Sequence, residues 1–230
     1  KRYEKAAQSM TQKPLEEEQI QLFFSDIEPL AASKVLVRLE NETLSIGQRI
    51  LSQGLQLTVR GHDKIGIIGP NGVGKSTLLA KLHQLLSSKR EISLGFMPQD
   101  YQETLQLDLS PVEFLSQTGH KEEIQKIQSH LASLNFSYPE MHHQIHSLSG
   151  GQQGKLLLLN LVLRKPNFLL LDEPTRNFSP TSQPEIRKLF ANYSGGLVTV
   201  SHDRRFLKEV CTSIYSLTEH GLKVVDLQDL

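Results

Sequence analysis

Cysteine is almost absent: Cys211 stands alone, so no disulfide can close within the chain, which fits a reducing compartment. Net charge is absent too. The 25 Lys and Arg residues balance 25 Asp and Glu, so bulk charge argues for neither a nucleic-acid nor a membrane partner, and any such partner must be argued locally. No apolar run approaches the ~20 residues that span a bilayer. The longest, Leu156–Leu163, is interrupted by Asn160. The charged N-terminus is not followed by the apolar core of a signal peptide, and the chain shows no internal repeat or low-complexity tract. The expectation is a cytoplasmic chain with no membrane segment. Lys1 in place of Met reads as a piece of a longer protein. At 230 residues, 38% of them hydrophobic, the chain can bury one large core, with or without an appended segment.

Residues 1–28 differ from the rest. "KRYEKAAQSMTQK" is polar and rich in helix formers, and Pro14 then opens "PLEEEQIQLFF", with proline and glutamates where a helix N-terminus favours them. Two helical stretches without a core of their own are expected. The basic excess in the first 13 residues reads either as a solvated helix end or as an arm that touches something anionic. From Lys34 the pattern changes to short β-like runs. "KVLVRLE" and "ILSQGLQLTV" alternate, whereas "DKIGIIG" is continuously apolar, as a central parallel strand covered on both faces should be. "ISLGFMP", "FLLLDE" and "GLVTVSH" also suit buried strands. Helical patterns cover Lys75–Leu86, Lys121–Leu134 and Gly151–Leu163. Such alternation predicts an α/β fold with a parallel sheet wound on both sides.

"GPNGVGKST", Gly69 to Thr77, follows one of these strands and opens a helix, the context of a phosphate-binding P-loop. Gly69, Pro70, Asn71, Gly72, Val73 and Gly74 form a loop whose glycines let successive N–H groups point at one anion, where the helix N-terminus adds favourable partial charge. Lys75 is expected to neutralise the β- and γ-phosphates, Ser76 to ligate Mg2+ and Thr77 to add a phosphate contact. A glycine-rich turn alone explains the glycines but not the Gly-Lys-Ser order. Asp172, at the end of "FLLL", suits the second-strand acid that holds Mg2+, and Glu173 suits the general base that polarises the attacking water.

"LSGGQ", Leu148 to Gln152, precedes a long apolar helix and the Asp-Glu strand. With this pentapeptide the chain resembles the ATP-binding cassette superfamily from about Lys34 to its C-terminus. The resemblance implies a P-loop fold: a parallel sheet core (domain 29–230), an N-terminal antiparallel β subdomain, and a small helical subdomain over about 100–165 that carries the signature loop. It also implies that Ser149, Gly150, Gly151 and Gln152 hold the γ-phosphate of ATP bound on a second cassette. Gln99 in "GFMPQD" matches the glutamine that senses Mg2+ and the attacking water. His202 in "VTVSHD" matches the histidine that bonds the γ-phosphate and steadies the catalytic glutamate. "IGIIGPNGVGKSTLL", "LLLLNLVLRKPNFLLLDEP" and "SHDRRFL" look like the ABC-F proteins, which carry two cassettes on one chain and no membrane domain.

Most ABC-F cassettes read Thr-Asn-His-Leu-Asp after Glu-Pro, whereas this chain has Thr175-Arg176-Asn177-Phe178-Ser179. That variant resembles the second cassette of the antibiotic-resistance group, which acts on the ribosome. Residues 1–28 are then the end of the helical linker that reaches towards tRNA and the drug site. Three positions depart from the usual pattern: Ser179 replaces an aspartate, Ile46 stands where an aromatic ring would stack on adenine, and Lys155 replaces an arginine. The expected function is Mg-dependent ATP hydrolysis on the ribosome. The alternatives are the nucleotide-binding subunit of a membrane transporter, or a degenerate cassette that binds ATP without turnover; intact Glu173 and His202 argue against the last. His142, His143 and His146 lack the partners of a tetrahedral metal site, and Cys211 reads as a small core residue.

Overall fold

The computed structural model describes residues 22–229. Strands β1 (Val35–Ile46) and β2 (Arg49–Arg60) form an antiparallel hairpin that turns at Gly47. β3 (Lys64–Ile68) leads into α1 (Lys75–Ser87), and β4 (Leu94–Met97) into α2 (Pro111–Leu115), α3 (Lys121–Ser133), α4 (Tyr138–His142) and α5 (Gly150–Arg164). There follow β5 (Phe168–Asp172), α6 (Gln183–Ala191), β6 (Gly196–Val200), α7 (Arg204–Val210), β7 (Ser213–Thr218) and β8 (Gly221–Val225). The larger sheet has the order β4-β5-β6-β3-β7-β8, parallel throughout except for the β7–β8 pair.

Why the central strands are apolar at every position follows from what covers them. In β5, Leu169 and Leu171 join the core that contains α5, α6 and α7, while Phe168 and Leu170 join the core of α1 and the β1–β2 hairpin. Side chains alternate across a strand, so a sheet clad on both faces needs hydrophobes at both parities. α1 is the wedge between the two sheets. Its Leu78, Leu79, Leu82 and Leu86 are all at most 1% exposed, and each contributes about 1.5–3 kcal/mol by leaving water. Helices α2 to α4 and the turns around them join the same core as α5 through Phe114, Leu131, Phe136, Met141 and Ile145.

The expected strands and the three expected helices form close to their anticipated limits, except that β1 runs six residues past the end of "KVLVRLE", to Ile46. The helix expected from Pro14 lies largely outside the described residues, and its last three, Leu22–Phe24, are not helical. Their side chains dock alternately: Leu22 and Phe24 pack against the core, with the Phe24 and Tyr193 ring centroids 4.8 Å apart, while Phe23 is 73% exposed. Asp26 adds an ion pair to Lys165 at 3.0 Å.

Candidate active site

Four adjacent strands of the larger sheet, β4, β5, β6 and β3, end on the same side because they are parallel. Such strand ends are where open α/β sheets bind ligands. Gln99 follows β4, Asp172 and Glu173 close β5, His202 follows β6, and the Gly69–Gly74 loop follows β3. These segments enclose one open cavity of about 750 Å³, lined by Asn71, Gly72, Gly74, Lys75, Ser76, Thr77, Gln99, Asp172, Glu173 and His202 among others. Gly69, Pro70 and Val73 do not line it. Val73 is buried in the hairpin-side core, and the other two supply carbonyls.

The loop after β3 curls back on its own lysine. The Lys75 ammonium donates to the Gly69 carbonyl at 2.8 Å and to that of Pro70 at 3.0 Å. Burial lowers its pKa, while Glu173 and Asp172 act in the opposite direction. Gly74 caps α1 with φ 106°, a left-handed conformation natural to glycine, and a Cβ there would lie 3.1 Å from Leu51 Cδ1. Being glycine, it offers no side-chain acceptor to the first N–H groups of α1.

Asp172 is 6% exposed, and burial raises its pKa; the Ser76 hydroxyl, Lys75 and Arg176 pull it back down. A carboxylate beside a hydroxyl is a hard oxygen donor pair, which fits Mg2+ completed by phosphate oxygens and water. Glu173 has φ 51°, a conformation that costs a non-glycine residue about 1–3 kcal/mol. Its N–H donates to Val200 at 2.9 Å, which holds the turn. Its carboxylate accepts the His202 backbone N–H at 3.2 Å and lies 3.7 Å from His202 Nε2. Burial raises the Glu173 pKa, His202 opposes the rise, and the result is a carboxylate readier than usual to take a proton.

Ser149, Gly150, Gly151 and Gln152 are not brought to this cavity. They open α5, where the Ser149 hydroxyl accepts the Gln152 N–H and the Gln152 side chain accepts the Ser149 N–H at 3.0 Å, a reciprocal cap. A Cβ on Gly150 would meet nothing within 4 Å. The stretch after Glu173 bridges the two places. Phe178 is 5% exposed and lies against Gly154 of α5, while Arg176 reaches the cavity.

Arg176 carries no local mark of a site, since a charge in a loop follows no periodicity; in the sequence it stands out only as one residue of the variant string after Glu-Pro, four residues after Asp172. Ile46 does line the cavity and is 62% exposed, so the wall there is aliphatic rather than aromatic. Cys211 is buried, and burial pushes its thiol up to about 12.

Known proteins share this layout. The sequence profile described as ABC transporter matches residues 52–176. The Escherichia coli (strain K12) protein named "Probable ATP-binding protein YheS" is 30% identical over 210 residues, 88% of this chain and 33% of its own length. "ABC transporter F family member 2" of Arabidopsis thaliana is 28% identical over 223 residues, 94% of this chain and 33% of its own. The chain therefore spans about a third of the length of these curated relatives. Among solved structures, the dimeric post-hydrolysis state of the ATP-binding cassette MJ0796, bound to ADP and Pi, superposes with a TM-score of 0.68. It is 20% identical over 83% of this chain and 98% of that one, and carries the same mixed α/β P-loop cassette fold. Among the described residues, no helix is long and apolar enough to cross a membrane.

Proposed function

The chain belongs to the ABC transporter family of ATP-binding domains, and from that premise we propose that it is one ATP-hydrolysing cassette of a cytoplasmic ABC-F protein that acts on the ribosome in protection against antibiotics. One observation carries the reading: Lys75, Ser76, Gln99, Asp172, Glu173 and His202 line a single cavity although they come from four strand ends.

In this reading the nucleotide phosphates lie over the start of α1, where backbone N–H groups and Lys75 neutralise them. Ser76, Asp172 and Gln99 would hold Mg2+, and the metal would draw charge from the phosphate oxygens when bound. Glu173 accepts the proton of the water that attacks the γ-phosphorus in line with the leaving oxygen. His202 holds Glu173 in place and faces the γ-phosphate. Ser149, Gly150, Gly151 and Gln152, which lie away from the cavity, serve the ATP of a second cassette, carried on the same parent chain or on a second copy. Residues 1–28 are the end of the linker between cassettes, and 29–230 are the cassette. The linker is what meets rRNA and tRNA.

The test is co-sedimentation of the full-length parent carrying Glu173→Gln with ribosomes, in ATP and without nucleotide. Loss of a general base slows hydrolysis by about 10²–10⁴-fold, so the variant should stay on the ribosome in ATP while the wild type cycles off. Turnover equal to wild type removes Glu173 from its role. Absence of ribosome binding in every condition favours the nucleotide-binding subunit of a transporter.

A further inference from the structure

A second opening adjoins the main cavity, and five residues border both: Ser76, Thr77, Gln99, Asp172 and Arg176. Four of these already have a part in holding metal or phosphate. The fifth, Arg176, is a cation at the same end of the site. Its backbone N–H donates to the Glu173 carbonyl at 3.1 Å, which ties it to the end of β5. Its side chain is exposed; among the described residues no hydrogen bond and no ion pair within 4 Å engages the guanidinium, whose charge acts on the nearby Asp172 carboxylate. Lys75, by contrast, has its ammonium held by two carbonyls. A guanidinium presents five N–H donors in a planar fork that matches phosphate oxygens.

We propose that Arg176 is a built-in cation at the metal end of the nucleotide site, which binds phosphate oxygens there and supplies part of the positive charge that Mg2+ otherwise provides. The inference rests on the nucleotide-binding reading. It makes ATP affinity less dependent on magnesium than Lys75 alone would leave it, because the phosphates keep a second charged partner when the metal is removed.

Calorimetric titration of the chain with ATP, in Mg2+ and in EDTA, tests this for the wild type, Arg176→Met and Arg176→Lys. In EDTA, Arg176→Met should weaken binding by about tenfold or more, the size of a hydrogen bond to a charged group. In Mg2+ the same change should stay within about threefold, because the metal then carries the charge. Arg176→Lys should recover part of the loss. Equal affinity of Arg176→Met and wild type in EDTA overturns the proposal, as does an equal loss with and without the metal. Failure of the wild type to bind ATP in Mg2+ overturns the nucleotide-binding reading together with it. Unfolding midpoints of all three proteins should agree closely, since the side chain is exposed.

Discussion

The helix that starts at Lys75 and the helix that starts at Gly150 both have glycine at their N-terminal ends, Gly74 just before the first and Gly150 and Gly151 within the second, yet their first turns are satisfied in opposite ways. α1 has Gly74 at its cap, no side-chain acceptor and no acidic residue in the first turn. α5 has Ser149 at its cap, and the Ser149–Gln152 pair closes on itself. The first four N–H groups of any helix need acceptors from outside the ladder. In α1 those donors line a cavity beside a buried lysine, so the acceptor they suit is an anion. In α5 a neutral cap supplies it, and the surface over Gly150 is open. One helix start is a site by itself, whereas the other becomes one only when something approaches it.

This contrast can be broken most sharply at Lys75. Lys75→Met should weaken ATP binding by about a hundredfold, as expected for a charged group facing phosphates, measured by calorimetry in Mg2+. An affinity unchanged within about threefold would deny α1 its role.

The glycines come next. Gly74→Ala should cost about 1–3 kcal/mol of stability, because φ is 106° there and Leu51 stands 3.1 Å from the new Cβ. Gly150→Ala should stabilise by about 0.4–1 kcal/mol, since no strain or neighbour opposes it. Urea unfolding of the two variants side by side measures both signs, and a shared sign would erase the distinction. The smallest effect belongs to the cap. Ser149→Ala should lower stability by about 1 kcal/mol, because the Gln152 N–H loses its acceptor. In ATP binding by the isolated chain this variant should match wild type, and a clear loss would place Ser149 at the chain's own nucleotide.

Particular elements show which parts of the fold could be read from residues alone. β3, β5 and β6 were legible because cover on both faces leaves an unbroken apolar string such as "FLLL". β7 and β8 were not: "SIYSLT" and "GLKVV" are only partly buried, and they are held by backbone pairing and by the Ser52 hydroxyl, which bonds to Thr218 at 2.6 Å. α2, α4 and α7, at five, five and seven residues, are too short for periodicity to show. Among site groups, Lys75 and Ser76 were legible as part of a contiguous loop motif. Gln99 and His202 needed a resemblance, because a single polar residue after a strand carries no local signal. Arg176 entered only as one letter of the variant string after Glu-Pro, with no role attached to it.

What the amino-acid order determined alone is local: a glycine loop before a lysine and a helix, and two acids at the end of a buried strand. Its resemblance to known cassettes added the names of their partners. Tertiary structure alone decided that Gln99, Asp172, His202 and Lys75, spread over more than a hundred positions, share one cavity, and that Ser149 does not. The reason lies in the sheet. Parallel neighbours must end on one side, so whatever follows β3, β4, β5 and β6 is brought together, while the start of α5 belongs to a layer stacked beside them.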